Sequence, residues 1–276
     1  ETQDNIKIWT ESFGNRNNPT ILLVVGAGAI STFYSDEFCR ELTTSGYFVI
    51  RYDQRDYGKS TKHKQINSSI MNNRERLSSE LPYKIETLVE DAIAVLDSYQ
   101  VEKSHIVGHS MGGVIAQILA VNYPSRVLSF SSLSVRPVSS SYPLEPMRKD
   151  VLNVLMENQP TGDLENDKSS WIKSLKLING DVYFDENLAL KYIQEIYKRD
   201  PKPGIAWNHI GVQEFLPDLY GELGENKIPS LILHGESDLL QPVSYAHRAH
   251  KMIANSTLVI LPKVGHMFFN REVEKK

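Results

Sequence analysis

The sequence predicts an α/β fold, a mostly parallel sheet flanked by helices with a helical lid inserted into it. Three observations carry this expectation. Apolar runs of strand length alternate with helical patterns through the first half, the order that yields a parallel sheet covered by helices. The alternation breaks over residues 136–226, which read as helices and Pro-rich joints, and it resumes afterwards. A Gly-rich turn at 108–112 falls between a strand and a helix. The length of 276 residues, with 41% hydrophobic and 23% charged residues, suits a core of 1–135 and 227–276 carrying a 136–226 insertion, given about 150 residues per domain.

The elements follow in order. Residues 21–25 form a continuous β-branched and Leu run, as expected of a strand buried on both faces, and residues 47–52 form another. Between them, residues 36–44 place Phe38, Cys39 and Leu42 at helical spacing and stop near Gly46. A polar, period-free stretch over 61–81 reads as a mobile loop. Ile85, Leu88, Val89, Ala92, Ile93 and Leu96 recur at three and four, marking a long amphipathic helix. A strand at 105–107, a helix at 114–121 that is apolar nearly all round and is stopped by Pro124, and a strand at 127–133 complete the first half. Pro137, Pro201, Pro203 and Pro217 punctuate the lid, and 192–197 is one of its helical stretches. Strand 230–233, helix 245–253 and strand 258–261 close the chain.

Composition narrows the function. Thirty Lys and Arg against 34 Asp and Glu give a net charge of −4, so no positive field gathers phosphate backbone or anionic lipid, and nucleic acid and membrane are excluded as expected partners. One cysteine, Cys39, can form no internal disulfide and no Cys-based zinc site, which fits a cytoplasmic protein. No apolar run of about 18 residues and no signal-peptide pattern is present, while Glu1 in place of Met is compatible with loss of an N-terminal segment.

Gly108-His109-Ser110-Met111-Gly112 sits where a G-x-S-x-G nucleophile elbow works: a sharp strand-to-helix turn lifts the serine hydroxyl above the sheet, and small flanking residues let helix and strand approach. A serine hydroxyl needs a base, and the base needs an orienting group. Strand 230–233 runs into His234-Gly235-Glu236-Ser237-Asp238, and strand 258–261 into Pro262-Lys263-Val264-Gly265-His266. His266 is therefore the expected general base and Asp238 its carboxylate, with Glu236 the nearest rival. Ser134-Val135-Arg136, after another strand, offers no carboxylate. The chain order Ser, Asp, His is itself informative. The backbone amides of Ala27 and Met111 are the expected oxyanion donors. Gly26 and Gly28 lack the third glycine of a dinucleotide fingerprint, Ser31 standing there, so no nicotinamide or flavin cofactor is expected. His247 and His250 are spaced i, i+3 without a third ligand, so no metal is expected. His105 and His234 read as structural, His109 as part of the pocket floor, and His63 and His209 as candidate substrate contacts.

With these residues in place, the chain resembles the α/β-hydrolase superfamily over nearly its whole length. Asp53-Gln54-Arg55-Asp56-Tyr57-Gly58-Lys59-Ser60 is similar to its D-x-R-G-x-G-x-S turn, with Asp56 in place of the first glycine. Asp36-Glu37-Phe38, the Val49 to Asp53 run with Arg55-Asp56, and the Asp91 to Asp97 run are most similar to the aclacinomycin methylesterase-like group. That resemblance implies the α/β-hydrolase fold and cofactor-free cleavage of a small or medium carboxylic ester through Ser, His and Asp, by a monomer or homodimer. The same parts serve thioesterases, lactonases, carbon–carbon bond hydrolases and weakly catalytic binding proteins. Epoxide hydrolases and dehalogenases are disfavoured because they carry Asp where this chain has Ser110.

Overall fold

Seven strands form one sheet, and their order determines where chemistry can sit. A computed structural model describes residues 2, 4–139, 145, 148–158, 160–204 and 206–275. In chain order the elements are β1 (Thr10–Phe13), β2 (Thr20–Val24), α1 (Asp36–Thr44), β3 (Phe48–Tyr52), α2 (Arg74–Glu80), α3 (Ile85–Ser98), β4 (Ser104–His109), α4 (Met111–Asn122) and β5 (Val127–Leu133). Then come α5 (Lys149–Glu157), α6 (Leu164–Ile178), α7 (Glu186–Arg199), α8 (Trp207–Val212), α9 (Tyr220–Glu225), β6 (Ser230–Gly235), α10 (Val243–Met252), β7 (Ser256–Leu261) and α11 (Arg271–Glu274). The sheet order is β1-β3-β2-β4-β5-β6-β7. Among the described strands, β1 alone is antiparallel, pairing with β3. The other pairs are parallel, so the carboxyl ends of β2 and β4 to β7 lie along one rim, where open α/β sheets bind ligands.

Side chains alternate across the sheet with period two. Leu22, Val24, Phe48, Ile50 and Ile106 pack against α3, α4 and α10, whereas Ile21, Leu23, Val25 and Val49 pack against α1 and against α7 of the helical insertion between β5 and β6. Every residue from Met111 to Ala120 in α4 is buried, which explains its apolar sequence; cutting Leu119 back to Ala costs about 2–5 kcal/mol. Polar caps set the helix starts: the Ser35 side chain accepts from Phe38 N–H at α1, Asp163 from Glu165 and Asn166 at α6, and Asp185 from Leu188 at α7.

Two sequence expectations need correction. Residues 61–81 are not an irregular loop: a single 3-10 turn at Ser68–Ile70 and α2 lie within them. Ile66, Ile70 and Leu77 are buried there against Leu81, Trp207 and Phe215. Three anchors among many polar residues give no readable period, and their burial depends on Trp207 and Phe215 of the insertion. The second is β1, a strand that no apolar run in the sequence marks. Its burial is partial, and an edge strand pairing on one side needs no strong apolar signal.

Candidate active site

Ser110 joins β4 to α4 with φ 53° and ψ −121°, a conformation that costs a non-glycine residue about 1–3 kcal/mol. Close crossing of strand and helix enforces it. A Cβ on Gly112 would lie 2.7 Å from the Val24 carbonyl carbon and 2.9 Å from the Val25 oxygen, and one on Gly108 would lie 2.6 Å from Gly113 N. These are backbone atoms that cannot move aside. The hydroxyl therefore stands at the N-terminus of α4, where helix amides favour developing negative charge. The loop after β2 passes beside it, since a Cβ on Gly26 would sit 2.9 Å from Ser110 Cβ. Among the described residues, the N–H groups of Ala27 and Met111 donate to no protein acceptor.

The loop after β6 delivers Asp238 and that after β7 delivers His266. The carboxylate Oδ2 lies 2.8 Å from His266 Nδ1, while Oδ1 accepts the Leu240 and Gln241 amides at 2.8 Å each. Burial would raise this carboxyl pKa, but the His266 imidazole and its hydrogen bond, with His234 and the Gln241 amide, hold it below the ordinary carboxylate value. An ionised carboxylate only accepts, so Nδ1 of His266 carries the proton and Nε2 carries the lone pair. Glu236, the rival acid, instead accepts the Lys263 amide at an exposed position.

His109 links this pair to the elbow. Its Nε2 donates to the His266 carbonyl at 2.7 Å, its ring centroid is 4.9 Å from that of His266, and Phe33 covers it at 4.6 Å. Burial, followed by the neighbouring His266, pushes its pKa down to about 3, so it is a neutral donor. Among the described residues, its Nδ1 has no partner. The insertion between β5 and β6 braces the same loop: Ile178 and Asn179 carbonyls accept the Met267 and Gly265 amides at 3.2 and 3.0 Å, and the Asn179 side chain accepts Phe269 N–H at 2.8 Å. Sequence reasoning missed Asn179, because a lone Asn at the end of a helix signals only a cap.

The 53–60 turn is tied to the helices inserted between β5 and β6. Arg55 is held by Asp91 through two hydrogen bonds of 2.6 Å. Arg199, at the end of α7, reaches both Asp53 oxygens at 3.2 and 3.0 Å and lies 4.1 Å from the Trp9 ring centroid. Asp56 has φ 70°, which is why a glycine commonly suits the position; Asp tolerates that region and here accepts from Tyr83, His63 and Asn208. His63 thus serves Asp56, and His209 bridges Gly28 N–H at 3.4 Å and the Arg55 carbonyl at 2.8 Å. His105 bonds Ser129 at 2.7 Å, His234 bonds the Gln241 carbonyl at 2.8 Å, and His250 bonds Ser256 at 2.8 Å. No group of three His, Cys, Asp or Glu among the described residues is arranged to hold a metal, and no helix among them is long and apolar enough to cross a membrane.

Comparison with known proteins agrees with this architecture. A family model described as the alpha/beta hydrolase fold matches residues 19–271. Rhodomycin D methylesterase DauP of Streptomyces sp. (strain C5) is 27% identical, with 96% of this chain and 90% of the relative covered. Rhodomycin D methylesterase DnrP of Streptomyces peucetius is 28% identical at the same coverage, in keeping with the methylesterase-like motifs. An esterase structure from Exiguobacterium antarcticum superposes with a TM-score of 0.74 at 22% identity, covering 99% of this chain and 94% of that one. The chain is a member of the α/β-hydrolase fold family.

Proposed function

We propose that the protein is a serine hydrolase that cleaves a small or medium carboxylic ester through an acyl-enzyme. The observation that carries this reading is the ionised, amide-capped Asp238 at 2.8 Å from His266 Nδ1, on the rim that also bears the strained Ser110. His266 Nε2 takes the Ser110 proton as the oxygen attacks the ester carbonyl. The oxyanion draws on the Ala27 and Met111 amides and the α4 terminus. Collapse releases the alcohol with the proton from His266. Water, deprotonated by the same nitrogen, then adds to the acyl-serine, and breakdown returns the acid and free Ser110. Asp238 stabilises the imidazolium in both halves. Similarity to two methylesterases favours ester over thioester or carbon–carbon cleavage, and the chemistry needs no cofactor or metal.

Labelling with a fluorophosphonate followed by peptide mass spectrometry tests the serine, with an adduct expected on Ser110 and lost in His266→Ala. A rate panel of p-nitrophenyl esters of rising acyl length, methyl esters, a thioester and a lactone tests the bond. Ser110→Ala and His266→Ala should each lower kcat by at least about 10³-fold. Undiminished turnover in well-folded Ser110→Ala would sink the proposal.

A further inference from the structure

We propose that the lid positions the oxyanion loop, with Tyr192 and His209 as positioning residues that act through the backbone of residues 28–30. This rests on the serine hydrolase reading and extends it.

The loop after β2 has few partners within the core for its amides. Lid side chains take two of them. The Tyr192 hydroxyl of α7 accepts Ile30 N–H at 3.2 Å, and His209 Nδ1 of α8 accepts Gly28 N–H at 3.4 Å. The His209 tautomer is fixed from its far side, because Nε2 lies 2.8 Å from the Arg55 carbonyl and a carbonyl can only accept. The next amide, Ser31 N–H, donates to Asp53 at 2.8 Å, and Asp53 is itself gripped by lid Arg199, which also donates to the Ser31 hydroxyl at 3.1 Å. Tyr192 and His209 are both buried, so water does not compete for these bonds.

Ala27 lies immediately before this anchored run. Its amide stabilises an oxyanion only if it is aimed at the tetrahedral oxygen before the reaction, and such preorganisation is lost by small rotations of neighbouring peptides. The lid therefore enters transition-state stabilisation as well as shaping the pocket. The effect belongs in kcat, because a donor aimed at the tetrahedral oxygen stabilises the transition state and not the ground-state complex.

The test compares Tyr192→Phe, His209→Leu, His209→Gln and the control Tyr197→Phe. The control removes another lid hydroxyl, which bonds Asp167 inside the lid. Expected results on a p-nitrophenyl ester are a fall in kcat of about 5–20-fold for Tyr192→Phe, at least that for His209→Leu with partial recovery in His209→Gln, KM within about twofold throughout, and no change in kcat for Tyr197→Phe. Inhibition by an alkyl boronic acid, whose Ser110 adduct needs the oxyanion donors, should weaken in parallel with kcat. Wild-type kcat and boronate affinity in Tyr192→Phe, or equal losses in Tyr197→Phe, would overturn the inference. If His209→Leu does not fold, Tyr192→Phe decides alone, since only an oxygen is removed. Failure of the hydrolase reading is distinct: the wild-type protein would then take no fluorophosphonate on Ser110.

Discussion

The elbow and the seam between the sheet and the helices inserted between β5 and β6 are held by different physics. At the elbow, backbone lies on backbone: Gly108 and Gly112 have no room for a Cβ, and no side-chain hydrogen bond is needed to hold Ser110 in its turn. At the seam, buried polar side chains add direction to the apolar packing of Ile21, Leu23 and Val25 on α7, with Arg199 on Asp53, Asn208 on Asp56 and His209 on the Arg55 carbonyl. Steric enforcement is local and all-or-none. Polar enforcement is long-range and graded, and it responds to pH. The groups proposed to form and break bonds stand on the core side, while the groups proposed to aim them are shared with the lid.

The comparison breaks hardest at Gly112→Ala. Its Cβ would meet β2 backbone that cannot move aside, so a loss above about 4 kcal/mol is expected, read as insoluble or unfolded protein on expression and circular dichroism. A folded, active variant would show that the crossing can open. At the seam, Arg199→Met leaves Asp53 buried without its cation and should cost about 3–5 kcal/mol in urea unfolding. Adding Asp53→Asn should recover part of it, as expected of a charge pair and not of a packing contact.

The pH response sharpens the contrast further. His109, His209 and His234 are each buried and held, chiefly by burial, below the ordinary histidine value of 6.5. Below that value the unfolded chain binds protons that these folded imidazoles do not, so the stability they contribute is present above about pH 6.5 and is lost as pH falls towards their folded values. For His109, lowered to about 3, the slope is about 1.4 kcal/mol per pH unit, or about 2 kcal/mol between pH 8 and pH 5. Urea midpoints at the two pH values measure it, and His109→Gln should flatten the curve. Equal midpoints for the wild type would contradict burial of a neutral ring. The smallest effect is expected of Asp56→Asn, which keeps an acceptor and tolerance of φ 70° while losing the charge, at about 1 kcal/mol in thermal unfolding. A loss as large as that of Arg199→Met would mean that the second carboxylate oxygen, accepting from Tyr83 and Asn208, holds the seam.

Much of this fold is legible in the sequence because burial on both faces leaves uninterrupted apolar runs, as in β2, β3 and α4. The α/β-hydrolase membership is readable in the elbow and the 53–60 turn, and the methylesterase likeness in residues 36–38, 49–53 with Arg55-Asp56, and 91–97. The segment over 61–81 was not, since Ile66, Ile70 and Leu77 become core only once Trp207 and Phe215 arrive from the lid. Among the eight histidines, spacing singled out His266 by its place after a strand, but it could not reveal that His109 holds the His266 carbonyl.

What the sequence by itself determined is the local chemistry: which residues can turn sharply, which runs must be buried, and which side chains stand at strand ends. Only the tertiary structure decided which of them meet. Asp238 in place of Glu236 faces His266, Asn179 braces the base loop, and Tyr192 and His209 grip the loop after β2. Each pairing spans 28 or more residues, and a hydrogen bond between distant segments leaves no periodicity in the chain, because its geometry exists only after the apolar runs have packed.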